Sequence, residues 1–95
     1  MKLRLYNLND VPMFQGLAIQ AIMQTIGGTL LAAGEVDTTQ DAVIYYVKSE
    51  RGGRVAESVW LDHGDEVLCL AYRTVGDQWQ ETVRGAGQAA ALFAQ

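Results

Sequence analysis

The sequence has few of the residues from which catalytic and metal sites are built. Its 95 residues include one cysteine, one histidine and one proline. A single cysteine excludes an internal disulfide. Catalysis needs several reactive groups that converge on one point, and this chain offers a thin supply of them.

Positive charge is also sparse, and it is not clustered. The chain carries 7 Lys and Arg residues against 11 Asp and Glu residues, which gives a net charge of −4. Because nucleic-acid affinity depends on cationic side chains that neutralise phosphates, direct DNA or RNA binding is not expected. An acidic domain is better suited to a partner whose surface is basic or uncharged.

Charge of either sign is missing from residues 11–34, VPMFQGLAIQAIMQTIGGTLLAAG. The length would suit a transmembrane helix, but glutamines, threonines, four glycines and a proline make a poor span. Gln20 and Gln24 lie one helical turn apart and form a polar side. The opposite side carries apolar residues at the spacing of a buried helix face, namely Ile19, Ile22, Met23, Ile26 and Leu30. The stretch therefore predicts an amphipathic helix and no membrane insertion.

The start of this helix is indicated more clearly than its end. Asn9 or Asp10 is a candidate N-cap, and Pro12 suits the first turn, where its missing N–H is harmless. Gly27-Gly28 could end the helix and leave TLLAAGEV as a strand. Because the apolar stripe continues beyond this pair, we expect the helix to run on to a C-cap at Gly34. A seam of small residues that would allow close packing of a second backbone follows Ala18, Ala21, Thr25, Gly28 and Ala32.

The second half of the chain changes from a helical period to a period of two. Four strands are predicted at 42–49, 54–61, 66–75 and 78–84. The short turns ERGG, DHGD and GD separate them, so neighbouring strands should pair antiparallel. The N-terminal KLRLYNL alternates apolar and polar residues and is expected to add an edge strand.

These elements predict an α+β fold in a single domain spanning residues 1–95. One long N-terminal helix packs on a four- to five-stranded antiparallel meander sheet in the order β-α-β-β-β-β. A short C-terminal helix is expected in AGQAAALFAQ.

Two-residue turns at 51–52, 63–64 and 76–77 would sort the strand residues onto two faces. The bulkier face is expected to receive the helix and contains Ile44, Tyr46, Val55, Val59, Leu61, Leu68, Leu70, Tyr72, Trp79 and Val83. A pocket between helix and sheet would then be lined by Tyr46, Tyr72 and Trp79.

The opposite face has an apolar end formed by Val43, Tyr45, Val47 and Trp60. An exposed apolar patch of this kind usually binds a partner. Tryptophan is enriched among residues that dominate binding energy, so Trp60 is the strongest single candidate for a partner contact. The alternative is that Leu92 and Phe93 of the C-terminal segment cover this face.

The remaining reactive residues do not form a convincing catalytic or metal site. His63 lies in LDHGDE, where adjacent ligands would point apart, so a polar turn is expected. Cys69 is mid-strand and too far from His63 for a nucleophile–base pair at about 3.3 Å per residue. Glu57 and Glu81 share a face and could do acid–base work, but pairing at the sheet margin is the simpler interpretation. RGGR at 51–54 is read as a hairpin turn. We predict no catalytic residues, no metal and no cofactor.

The leading hypothesis is a small non-enzymatic protein-interaction module that acts through the apolar sheet face. Its partner would be a protein, either itself as a homodimer or another chain, and neither nucleic acid nor a membrane. Inhibitors and accessory proteins of phages and mobile elements share this size and acidity, which is an analogy only. The alternative is a small-molecule-binding domain or minor enzyme with a pocket between helix and sheet. The N-terminal MKLRLYNLND lacks the apolar run of a signal peptide, so the cytoplasm is the expected compartment.

Overall fold

The computed structural model describes residues 3–36, 43–63 and 66–81. In chain order the elements are β1 (Leu3–Leu5), α1 (Met13–Ile26), β2 (Thr29–Val36), β3 (Ile44–Arg51), β4 (Arg54–His63), β5 (Glu66–Thr74) and β6 (Gln80–Glu81). The six strands form one antiparallel sheet in the order β1-β2-β3-β4-β5-β6. The predicted α+β class is confirmed, with one helix inserted between β1 and the rest of the meander. The expected C-terminal helix lies outside the described residues.

The start of α1 differs from the predicted cap. Asn7 closes a turn before the helix, because its backbone carbonyl accepts from the Asp10 N–H and its side chain accepts from the Asn9 N–H. Pro12 occupies the N-cap position, and no side chain caps the helix. The prediction that Asn9 or Asp10 caps α1 is therefore wrong, since the turn places both residues before the helix.

The end of α1 also differs, and this changes the strand count. The helix has 14 residues and stops at Ile26, so it is shorter than predicted. Gly27 and Gly28 follow with φ angles of 70° and 113°, a conformation that side chains disfavour. A Cβ on Gly28 would also lie 2.5 Å from the Glu50 carbonyl oxygen. The expected continuation to Gly34 is wrong, because Thr29–Val36 is a strand whose backbone groups pair with β1 and β3.

Within the described ranges, no helix combines the length and apolar character needed to cross a bilayer.

The β3–β4 hairpin turns at Gly52-Gly53, one position later than predicted. Arg51 pairs with Arg54, and the two glycines have φ angles of 60° and 81°. Positive φ at both central residues is the geometry of the tight hairpin turn that matches strand twist. The shift changes the pairing by two residues, so each side chain stays on its predicted face. The interpretation of RGGR as a hairpin turn is confirmed.

A β-bulge in β5 has a larger effect. Val59 pairs with Ala71 and Trp60 pairs with Cys69, so Leu70 is an extra residue on β5. An extra residue reverses the side on which later side chains point. Residues after the bulge therefore lie on the opposite face from that predicted by simple alternation.

The helix packs on one face of the sheet, which we call the covered face. Its core consists of Ala18, Ile19, Ile22, Ala33, Tyr45, Val47 and Trp60, with Tyr6, Val11, Met23, Ile26, Leu30, Val43, Val67 and Cys69 packed around it. The isoleucine stripe of α1 is thus buried as predicted. The predicted sheet face is wrong, because α1 packs on Tyr45, Val47 and Trp60 instead of on the Tyr46 face. Both sides of β3 and β4 are apolar, so alternation alone did not distinguish them.

The other side of the sheet, which we call the distal face, is also partly buried. It carries Val36, Tyr46, Val59 and Ala71, each at most 6% exposed. Their cross-strand pairing sets them in neighbouring positions, with Tyr46 opposite Val59 and Val59 opposite Ala71.

Candidate functional site

The residues predicted to contact a partner are placed in the core. Trp60 is 5% exposed and Tyr45 is 2% exposed, while Val47 is fully buried beneath α1. Val43 packs at the edge of the same cluster. The expectation that this face is exposed is therefore wrong, since the helix covers it. Trp60 also contributes packing without a polar contact, because its indole Nε1 has no hydrogen-bond partner within the described chain.

The three residues of the predicted pocket are not brought together. Tyr46 and Trp79 both approach Arg73 on the distal face, away from α1. Tyr72 is opposite Ser58 on the other side of the sheet and is about half exposed. The bulge at Leu70 separates them, because it reverses the side of β5 after that position. The pocket predicted between helix and sheet is consequently not formed by these side chains.

A polar cluster does assemble on the distal face around Glu57. The Tyr46 hydroxyl donates to Glu57 Oε2. Arg73 donates from Nε to Glu57 Oε1 at 2.8 Å, and its Nη2 lies 2.7 Å from the same oxygen. The Arg73 guanidinium also stacks over the Trp79 ring at 4.8 Å from its centroid. Burial, the Glu57 hydrogen bond and the Glu57 charge raise the pKa of Tyr46 above its ordinary range.

A second cluster of the same composition lies at the β1–β2 edge. The Glu35 carboxylate accepts hydrogen bonds from Arg4 Nη2 and from the Tyr6 hydroxyl. Burial and the Glu35 hydrogen bond and charge raise the pKa of Tyr6. The pKa of Tyr45 is also raised, first by burial and then by the charges of Asp62 and Glu35.

Both clusters have the composition of side-chain contacts that stabilise the sheet. In each, one carboxylate accepts from both a tyrosine and an arginine that lie outside its own strand, so its charge is compensated where it is partly buried. The raised tyrosine pKa values keep these hydroxyls protonated, in the donor form that the hydrogen bonds require. This arrangement holds strands together and does not present a free general base. The side chain of Glu81, predicted to join Glu57, lies outside the described residues.

The two residues considered for nucleophilic chemistry remain apart from these clusters. Cys69 is partly buried on the covered face, and its thiol lies 3.7 Å from the Ala71 carbonyl oxygen. His63 is the last residue of β4 and pairs with Glu66 through the backbone. Its side chain lies outside the described residues, so its predicted role in a polar turn stays a prediction.

An apolar surface appears instead on the outer side of α1. Phe14 is 80% exposed, Met13 is 77% exposed and Leu17 is 58% exposed. Leu17 lies three residues after Phe14 and four after Met13, so it is a neighbour of both on the helix surface. Large apolar side chains grouped this way on a surface usually mark an interaction site. We refer to Met13, Phe14 and Leu17 as the helix patch.

Two grooves of about 280 Å³ run along the flanks of α1. The first is lined by Leu8, Val11, Gly16, Ile19, Gln20, Met23 and Leu30. The second, which we call the acidic groove, is lined by Phe14, Leu17, Ala18, Ala21, Asp62, Glu66 and Val67. Phe14 and Leu17 of the helix patch lie on one wall of the acidic groove, and the β4–β5 hairpin forms the other wall. Both volumes are just below the range of roughly 300–1,000 Å³ typical of small-molecule pockets.

The helix patch is not among the sequence predictions, because these used only the buried stripe of α1. The signal was present, since Met13 and Leu17 project on the same side of the helix as Gln20 and Gln24, and Phe14 projects next to that side. Both glutamines are exposed as predicted. A projection of the whole circumference would have shown that only the C-terminal half of this side is polar.

Comparison with protein-family models, with curated protein sequences and with solved structures found no significant match.

Proposed function

We propose that this chain is a small non-enzymatic protein-interaction module that binds through the helix patch. The observation that carries the proposal is the 80% exposure of Phe14, between Met13 and Leu17, on a helix whose other side is buried. A phenylalanine held on an ordered helix offers a large apolar area at a low cost in conformational entropy. An amphipathic helix with a second apolar side is suited to docking on another protein.

The location of the patch supports this proposal over one based on the sheet. The apolar residues of β3 and β4 are already used for packing, on the covered face by α1. On the distal face, Glu57 is engaged by Arg73 and by the Tyr46 hydroxyl. Met13 and Phe14 of the helix patch are the two most exposed large apolar residues in the described part of the chain.

The proposal is tested with two variants that each replace exposed apolar side chains by serine, one inside the helix patch and one outside it. Phe14→Ser together with Leu17→Ser removes apolar area from the patch, while Val75→Ser removes it from a residue 49% exposed in the turn after β5. Because all three residues are exposed, the thermal unfolding of both variants should stay close to that of the wild type.

Binding is read by crosslinking and affinity capture from cell extract, and by sedimentation velocity over a range of concentrations. A partner or self-association that survives Val75→Ser and is lost in Phe14→Ser/Leu17→Ser supports the proposal. If neither variant changes the captured partner or the self-association relative to wild type, the proposal is contradicted.

A further inference from the structure

We infer that the partner docked on the helix patch is a basic amphipathic segment, whose Lys or Arg side chains meet Asp62 and Glu66. This inference rests on the proposed function and adds the chemistry of the partner. The acidic groove joins an apolar wall to an acidic one, so it fits a ligand that has apolar and cationic groups side by side.

The apolar wall comes from α1. Phe14 and Leu17 line the groove and are largely exposed, and Ala18 and Ala21 of the same helix also line it. These two small residues leave room for a branched apolar side chain to enter from a partner. The groove volume of about 280 Å³ gives such a side chain room to enter.

The acidic wall comes from the β4–β5 hairpin. Asp62 pairs with Val67 through the backbone, and Glu66 opens β5 directly beside them. Among the described residues, neither carboxylate makes an ion pair, in contrast to Glu35 and Glu57. Their negative charge is therefore available to a cationic group of a partner.

The charge of the rest of the chain favours a basic segment over a second copy of the chain in the acidic groove. Residues 11–34 carry no charge, so α1 itself supplies nothing to neutralise the two carboxylates. The whole chain has a net charge of −4. A second copy docked face to face about a twofold axis would bring two acidic walls close together, which is unfavourable. A basic segment gains both a favourable charge pairing and faster association.

The experiment uses synthetic peptides as defined probes. One is a dye-labelled 14-residue amphipathic helix of leucine and lysine, and the second replaces every lysine with glutamate. A third has the leucine–lysine composition in a scrambled order. Fluorescence anisotropy measures the binding of each peptide to the full chain at about 50 mM and about 300 mM salt.

The protein variants separate the two walls of the groove. Asp62→Asn/Glu66→Gln removes the acidic wall, and Glu50→Gln/Asp77→Asn removes two exposed charges elsewhere. Phe14→Ser/Leu17→Ser removes the apolar wall. We expect Asp62→Asn/Glu66→Gln to weaken leucine–lysine binding about fivefold at low salt, and Glu50→Gln/Asp77→Asn to change it less than about twofold.

The outcomes distinguish this inference from the proposed function. Equal binding of the glutamate peptide, or equal loss in both charge variants, overturns the basic partner and leaves the helix patch as the docking surface. A dimer that Phe14→Ser/Leu17→Ser dissociates also overturns it, since the occupant is then a second copy. Peptide binding that Phe14→Ser/Leu17→Ser leaves unchanged overturns both proposals.

Discussion

Arg73 donates to Glu57 across β4 and β5, with 2.8 Å between Nε and Oε1. The two residues meet because the extra residue Leu70 reverses the side of β5 that carries Arg73. Both side chains are mostly buried, with 21% of Arg73 and 13% of Glu57 exposed. An ion pair with this degree of burial is costly to break from one side, because the remaining charge stays desolvated.

Glu57→Gln should therefore lower the free energy of unfolding by about 2 kcal/mol. The amide keeps the shape of the side chain but loses the charge that compensates Arg73. Urea denaturation followed by circular dichroism measures the change. Glu50→Gln, at an exposed position of β3, is the matched control and should cost less than about 0.5 kcal/mol. Equal stability of the two variants would contradict the structural role of Glu57.

The stability of the protein should fall at alkaline pH. The pKa values of Tyr6, Tyr45 and Tyr46 are raised, chiefly by burial. The folded state therefore keeps these protons at pH values where the unfolded chain releases them. The resulting stability is fully present below the usual tyrosine pKa of about 10 and is lost as the pH rises above it.

Tyr46→Phe tests the contribution of one of these hydroxyls. At neutral pH the variant should be about 1 kcal/mol less stable, since Glu57 loses a donor. Above about pH 10 its stability should fall less steeply than that of the wild type, because one of the shifted groups is gone. Urea denaturation at a series of pH values provides both measurements. Tyr72→Phe, at a half-exposed residue, serves as the neutral-pH control and should differ from wild type by less than about 0.5 kcal/mol.

Replacing Gly34 by alanine should lower the stability of the protein, whereas replacing Gly16 by alanine should raise it. A Cβ on Gly34 would collide with the Arg4 carbonyl oxygen where β1 crosses it, so Gly34→Ala should cost about 2 kcal/mol or more. Gly16 lies inside α1, and its nearest neighbour would be a Val11 methyl group at 3.9 Å. Gly16→Ala should stabilise the protein by roughly 0.5–1 kcal/mol, because alanine is the better helix former. Thermal unfolding checks both, and a neutral Gly34→Ala would show that β1 does not pack there.

Replacing Trp60 by alanine should affect stability much more than replacing Phe14. Trp60→Ala should cost about 3–5 kcal/mol and unfold much of the protein, since Trp60 is buried beneath the helix. Phe14→Ala should change the stability by less than about 0.5 kcal/mol, because Phe14 is exposed. Chemical denaturation measures the two effects. A tolerated Trp60→Ala would mean that the covered face is not the core.

The sequence predicted the elements of this fold better than their arrangement. The isoleucine stripe of α1 and the period-two strands each depend on local spacing, and both are present in the structure. The end of α1 was predicted wrongly because the stripe continues past Gly27-Gly28. Strand pairing with β3 decided that segment, and such pairing involves residues distant in sequence.

The candidate site was predictable only in part. Met13, Phe14 and Leu17 could have been found from the helical wheel alone. Asp62 and Glu66 could not be assigned to the same groove, because their distance from α1 depends on which face of the sheet the helix covers. The pairing of Glu57 with Arg73 could not be predicted either, since no residue pattern indicates the bulge at Leu70.

The sequence by itself determined an acidic chain with one amphipathic helix and a series of antiparallel strands, because charge balance and periodicity are local properties. Only the tertiary structure decided that α1 packs on Tyr45, Val47 and Trp60, leaving the helix patch exposed. Both faces of the central strands are apolar, so burial could favour either one. The choice depends on how the whole helix and sheet fit together, and that information is spread over contacts between distant residues.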